Sequence, residues 1–141
     1  MPKRRILILC TGNSARSQMA EGLLRTLSAG TLEAHSAGTH PAGLNPLAVE
    51  VMREIQIDIS VQRSKSVDEF AGQTFDTVIT VCDNARQECP VFPGAPEMIH
   101  FSLEDPAVVE GTREQKLAAF RRTRDELTAR LRLLLQNGSH G

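Results

Sequence analysis

Chemistry is concentrated in one short run near the N-terminus, Cys10-Thr11-Gly12-Asn13-Ser14-Ala15-Arg16-Ser17. Each residue type in this C-x5-R-S loop has a use. Successive backbone N–H groups of Thr11, Gly12, Asn13, Ser14, Ala15 and Arg16 can turn inward around a tetrahedral oxyanion, helped by the positive end of a following helix. Gly12 and Asn13 are types that tolerate positive φ in so tight a loop. Arg16 offers a two-pronged guanidinium to two oxygens of the same anion, and Cys10 would lie beneath its central atom. A thiol with a pKa near 8.5 is only about 3% thiolate at pH 7. The helix end, Arg16 and the Ser17 hydroxyl all favour the thiolate, and a downward shift of about two units, roughly 2.7 kcal/mol, makes it the main species. The plain alternative is a buried cysteine at a strand end and a structural arginine beside a glycine turn. A Walker A loop is excluded because Gly-Lys-Ser/Thr is missing, and a dinucleotide fingerprint because G-x-G-x-x-G is missing.

The elements around the loop are those that such a site needs. Arg5 to Leu9 reads as a parallel strand covered on both faces, and a helix is expected from about Ala15 to Ala29, with Met19, Leu23, Leu24 and Leu27 on one face. A weaker strand follows over Thr31–Ser36. Asn45-Pro46 has the form of an N-cap and first helical residue, opening a helix that carries Leu47, Val51, Met52 and Ile55. Ser66 to Phe70 suits a short helix. Phe75 to Val81 is a second clear strand with Cys82 at its carboxyl end, and Met98 to Phe101 a short fourth one. The longest helix spans about 113–136, with Leu117, Phe120, Leu127, Leu131 and Leu134 as its buried stripe. Its arginines, Arg121, Arg122, Arg124, Arg130 and Arg132, read as a solvated face, since Glu114, Asp125 and Glu126 lie among them. A frayed tail is expected over 137–141. The order predicts a single α/β domain over 1–141, a three-layer sandwich with a four-stranded parallel sheet flanked by helices. Ligands bind beyond the carboxyl ends of such strands, where both Cys10 and Cys82 fall.

Composition bounds the partners. The chain has 141 residues, 16 Lys+Arg against 17 Asp+Glu, and neither Trp nor Tyr. No basic excess rewards nucleic-acid binding. Nothing approaches the roughly 18 to 20 apolar residues of a membrane span, and the apolar stretch Ile6–Leu9 is too short for a signal peptide. The expected compartment is the cytoplasm, where thiols stay reduced and an odd count of cysteines suits chemistry.

CTGNSARS followed by QMAEG, then SAGTHPAGLNPLA, resembles the low-molecular-weight protein tyrosine phosphatase superfamily, and within it the thioredoxin-coupled arsenate reductases. The likeness runs from about Ile6 to the final helix. It implies a four-stranded parallel sheet and a relay through three thiols. Cys10 would attack arsenate, Cys82 would then attack Cys10 and release arsenite, and Cys89 would attack Cys82. The resulting Cys82–Cys89 pair would be reduced by thioredoxin as an external reductant, with no bound cofactor. The small-molecule partners implied are arsenate and other tetrahedral oxyanions, phosphate and sulfate, bound by a monomer. Two cysteines seven positions apart in a regular helix are separated by about 10 Å of rise, beyond the roughly 7 Å between Cα atoms that a disulfide allows. Residues 82–97, with Pro90, Pro93, Gly94 and Pro96, are therefore expected to loop or unwind on oxidation.

The same resemblance singles out Asp105, before Pro106, as the general acid that protonates the departing oxygen. Taken alone, Asp-Pro is a common turn opening. Some reductases of this kind hold potassium near the loop. Asn13, Glu21 and Ser36 resemble its ligands, but Lys65 falls where an acidic ligand would stand, so no metal and no potassium requirement are expected. The alternative within the superfamily is a phosphomonoesterase that uses Cys10 and Asp105. Tyrosines after the Asp-Pro, frequent in such phosphatases, are missing here.

Overall fold

The computed structural model describes residues 3–81 and 97–138. Its strands are β1 (Arg4–Cys10), β2 (Leu32–Gly38), β3 (Thr77–Thr80) and β4 (Glu97–His100); its helices are α1 (Arg16–Leu27), α2 (Pro46–Arg53) and α3 (Arg113–Gly138). Short 3-10 turns lie at Val67–Phe70 and Pro106–Val108. All four strands pair in parallel in the order β2-β1-β3-β4, the sheet the sequence predicted. Side chains alternate between faces along a strand, so four consecutive buried residues require cover on both sides. Ile6, Leu7, Ile8 and Leu9 meet that condition at the centre of the sheet.

Local signals explain the helices. Asn45 Oδ1 accepts from the Leu47 amide at 2.8 Å and Pro46 takes the first helical position of α2. The helix closes where Gln56 adopts a left-handed φ of 68° and the Ile57 amide bonds the Met52 carbonyl at 3.0 Å. Val51 and Met52 are buried as expected, but Ile55 lies beyond the last turn and is 37% exposed. In α3 the stripe Leu117, Phe120, Leu127 and Leu131 is buried.

The structure corrects several expectations. Arg124 does not belong to a solvated face: four residues after Phe120 and three before Leu127, it sits on the buried stripe. There it donates Nη1 to the Val51 carbonyl at 2.9 Å and to Glu54 at 2.8 Å. Helix α3 continues to Gly138 instead of fraying from Asn137, because Leu134 and Leu135 still pack on the core. Strand β2 runs on to Gly38, while β3 is confined to Thr77–Thr80 and β4 starts at Glu97.

β1 has β2 on one side and β3 on the other, so successive connections leave it in opposite directions. Such a reversal opens a crevice beyond the carboxyl ends of the two central strands. Cys10 ends β1 there, and Val81, whose amide bonds the Leu9 carbonyl at 3.0 Å, follows β3. Cys82 and Cys89 lie outside the described residues. So does most of the segment expected to rearrange, except Glu97, which opens β4.

Candidate active site

The loop Cys10–Ser17 bridges the carboxyl end of β1 and the start of α1. Its carbonyls are engaged one by one from outside. The strap over residues 39–45 runs alongside it: Thr39 N bonds Cys10 O at 3.3 Å, His40 N bonds Thr11 O at 2.8 Å, Ala42 N bonds Gly12 O at 2.9 Å and Asn45 N bonds Ser14 O at 2.9 Å. Gln18 Nε2 takes Asn13 O at 3.0 Å, and Met19 N takes Ala15 O at 2.9 Å. A trans peptide points its N–H away from its C=O, and the described residues contain no cis bond. The N–H groups of Thr11 to Arg16 are therefore turned to the side opposite these donors, where an oxyanion would sit. Gly38 makes the close approach possible: a Cβ there would stand 2.5 Å from Thr11 O and 2.9 Å from Asn13 N.

Asn13, with φ of 45°, provides the positive-φ turn expected of it. Gly12 does not share it. A Cβ there would make only ordinary contacts, with Ser14 Oγ at 3.4 Å and Ala42 Cβ at 3.5 Å.

Among the described residues, four helical starts are capped by side chains: α2 by Asn45, the two 3-10 turns by Ser66 and Asp105, and α3 by Thr112, whose Oγ1 accepts from Gln115 N at 3.1 Å. Helix α1 has no side-chain cap. Its N-terminal partial positive charge is thus left for a ligand at the loop. Arg16 strengthens it. The guanidinium is buried and held from behind, Nη1 donating to Leu103 O at 3.0 Å. The edge formed by Nε and Nη2, the pair that fits two oxygens of one anion, is nearly unused. Among the described residues, Nε is buried without a partner, and Nη2 meets only Asp105 Oδ2, at 3.5 Å. Asp105 divides its carboxylate: Oδ1 caps the next turn by accepting from Ala107 N at 3.0 Å, and Oδ2 faces Arg16. The cap and the facing of Arg16 coexist in one side chain. Cys10 itself is buried.

Behind the loop lies a buried polar cluster. Asn13 Nδ2 donates to Ser17 Oγ at 2.8 Å and to Ser36 Oγ at 3.0 Å, and Ser36 donates to Glu21 Oε1 at 2.6 Å. Lys65 brings its Nζ to 3.6 Å from that same Glu21 oxygen and donates to Arg63 O at 3.0 Å, so an ammonium occupies the neighbourhood of Asn13, Glu21 and Ser36. Arg63 in turn grips Glu69 through Nη1 and Nη2, and this hydrogen bonding holds the Glu69 carboxyl below its usual range. The structure thus gathers Cys10, Thr11 to Arg16, Ser17 and Asp105 at one crevice. Gln18, Gln62 and the strap amides were missed by the sequence reading, because amides that serve neighbouring backbone leave no spacing pattern.

A buried cysteine, a ring of inward amides and a half-spare arginine at the switch point of a parallel sheet define an oxyanion-handling thiol enzyme. The chain belongs to the low molecular weight phosphotyrosine protein phosphatase family, whose model matches residues 5–139. A relative from Halalkalibacterium halodurans named arsenate reductase is 45% identical over 138 residues, 98% of this chain and 99% of that protein. Similar solved structures include an arsenate reductase in oxidized state, with TM-score 0.80 and 31% identity, covering 95% of this chain and 98% of that one. A low molecular weight protein tyrosine phosphatase from T. tengcongensis gives TM-score 0.78 at 28% identity, covering 96% and 99%. A thioredoxin-dependent arsenate reductase of Corynebacterium glutamicum gives 0.76 at 28%, covering 96% of this chain and 62% of that one. Reductase and phosphatase superpose about equally well, so the fold does not separate the two activities.

Proposed function

We propose that this protein reduces arsenate to arsenite, with Cys10 as nucleophile in the amide ring. The observation that carries the anion site is the uncapped start of α1 beside an arginine whose Nε is buried and unpartnered. Three thiols, and relatives named arsenate reductase along the whole chain, favour reduction over hydrolysis. The Cys10 thiolate attacks arsenic, a sulfur–arsenic bond forms, and one arsenic–oxygen bond breaks. Asp105 supplies the proton with which that oxygen leaves as water. Ser17 and Arg16 favour the thiolate. Cys82 attacks the Cys10 sulfur, and the electron pair of the sulfur–arsenic bond stays on arsenic, which departs as arsenite. Two thiols have then become the Cys10–Cys82 disulfide. Cys89 attacks Cys82, frees the Cys10 thiolate and leaves Cys82–Cys89 for a dithiol reductant.

Thioredoxin fits that last role, a reading supported by the paired Cys82 and Cys89 and by the similar thioredoxin-dependent enzyme. A cytoplasmic monomer with no bound cofactor completes the proposal; among the described residues no helix is long and apolar enough to cross a membrane. Lys65 supplies a fixed cation beside Glu21, so no potassium is required. Turnover should be equal in potassium and in sodium at one ionic strength, and a several-fold rise with potassium alone overturns this point. A phosphomonoesterase using Cys10 and Asp105 is the second reading, favoured by the family and by the similar phosphatase.

The deciding test is arsenate-dependent NADPH oxidation with thioredoxin and thioredoxin reductase, for wild type and Cys89→Ser. Turnover that collapses in the variant supports the relay. No oxidation, alongside brisk para-nitrophenyl phosphate hydrolysis, transfers the protein to the phosphatases.

A further inference from the structure

Two glutamines outside the loop form the start of a hydrogen-bond chain that ends at its last residue. Gln62 Nε2 donates to Gln18 Oε1 at 2.8 Å. Gln18 Nε2 donates to Asn13 Oδ1 at 3.0 Å, and Asn13 Nδ2 donates to Ser17 Oγ at 2.8 Å. The direction of each link is fixed by backbone groups whose roles cannot reverse. Gln18 Nε2 also faces the carbonyls of Arg63, at 2.9 Å, and Asn13, at 3.0 Å, so the amide nitrogen belongs there and Oε1 faces Gln62. Asn13 Oδ1 accepts from the Lys65 amide at 2.8 Å, which commits its Nδ2 to the serine hydroxyls. Ser36, the other hydroxyl so engaged, passes its own proton to Glu21. Ser17 accepts from Asn13 and so has its single proton to give onward. It is wholly buried, which leaves bulk water out of reach.

From this geometry we infer that Gln18 and Gln62 are positioning residues. They hold Asn13 in its left-handed turn and fix the direction of its bond to Ser17, so that the Ser17 proton is presented to the Cys10 thiolate. The inference rests on the reading of Cys10 as nucleophile but not on arsenate as substrate. Gln18 also ties the loop to the Ile59–Lys65 segment, because Gln62 Nε2 donates to Gln18 O at 3.0 Å as well. The charged groups about the loop include Arg16 and Asp105 on its open side and, behind it, Glu21 with Lys65 and Arg25. A glutamine-to-leucine change alters none of them.

The test reads Cys10 alone. Its alkylation by iodoacetamide is followed on the Cys10 peptide by mass spectrometry, and its thiolate by ultraviolet difference absorbance against Cys10→Ser. In Gln62→Leu and Gln18→Leu the acid dissociation constant of Cys10, read from the pH dependence of its alkylation, should fall about fivefold, the worth of one hydrogen bond, and the thiolate absorbance at pH 7 should fall with it. In a Ser17→Ala background the same changes should add almost nothing, since the chain then has no terminus. Unaltered alkylation in both single variants, or losses that add in full to that of Ser17→Ala, overturns the inference. Gln62 is only half-buried, so Gln62→Leu decides the question even where Gln18→Leu fails to fold. Wild-type turnover of arsenate with thioredoxin is measured in parallel, and its absence would count against the proposed function while leaving the alkylation result to judge the glutamines.

Discussion

The loop proposed to bind the anion and the aspartate proposed to serve it are held in opposite ways. Every carbonyl from Cys10 to Ala15 has a donor from outside the loop, Asn13 is gripped on both ends of its amide, and Gly38 lets a strand end press against the turn. Asp105 has one capping bond on a three-residue 3-10 turn and one ion-pair contact of 3.5 Å, and its side chain is 37% exposed. A cradle for a transition-state charge has to be rigid before the ligand arrives, because donors that must reorganise lose their advantage. A general acid has to exchange protons with solvent between turnovers. The difference predicts that damage to the loop removes anion binding and chemistry together, whereas damage to the acid removes chemistry alone.

The largest effect should come from Cys10→Ser, which lowers arsenate turnover by about four orders of magnitude or more, as loss of a nucleophile does. Sulfate binding, followed by calorimetry, should persist, because the amides and Arg16 remain. Arg16→Lys keeps the charge but not the two-pronged edge, and should cost about a thousandfold in kcat/KM together with sulfate affinity. Gly38→Ala sharpens the comparison without replacing any residue placed on the anion. Its Cβ would collide with Thr11 O and Asn13 N, both backbone, so the loop must shift, and a misplacement of about 1 Å costs about a hundredfold. If Gly38→Ala kept sulfate affinity and turnover intact, the picture of an over-determined loop would be wrong. Asp105→Asn should lower arsenate turnover by about ten- to a hundredfold, with sulfate affinity unchanged. A parallel loss of sulfate binding would show that Asp105 instead braces Arg16.

The sheet, the long helices and the nucleophilic loop were legible because they rest on local periodicity and on residue types at fixed spacing. The apolar run Ile6–Leu9 reads as a strand covered on both sides, and Asn45-Pro46 as the opening of a helix. The Arg124 environment was not legible. Charge pattern places an arginine outside, and only the stripe spacing of Phe120 and Leu127, together with a carbonyl from another helix, shows why it lies inside. Gln18, Gln62 and the strap escaped for a related reason: they serve backbone groups, 44 positions away for Gln62 on the Gln18 carbonyl and 45 for Gln18 on the Arg63 carbonyl, and such service leaves no motif. Asp105 stood out only through a resemblance, since its capping role alone would have placed the same residue before Pro106.

The smallest predicted effect lies on the face opposite in character to the loop, where charge stabilises packing and does no chemistry. Glu54, past the end of α2, is held by Arg121 through Nε at 3.1 Å to both oxygens and Nη2 at 2.8 Å, and by Arg124 at 2.8 Å. Hydrogen bonding from Arg121, opposed by some burial, lowers its carboxyl from 4.5 to about 2. The folded state therefore keeps this carboxylate charged where the unfolded chain has already taken up a proton. The stabilisation is complete above pH 4.5 and is lost as pH falls through about 2. A third of the side chain is exposed, so solvent screening limits the pair network to about 1 kcal/mol. Glu54→Gln should lower the unfolding free energy measured in urea by that amount at pH 7 and leave arsenate turnover unchanged. Its deficit relative to wild type should shrink as pH is lowered from 4.5 towards 2. A deficit constant across that range would mean that the helices are joined by packing and by Arg124 alone, with no contribution from the Glu54 charge.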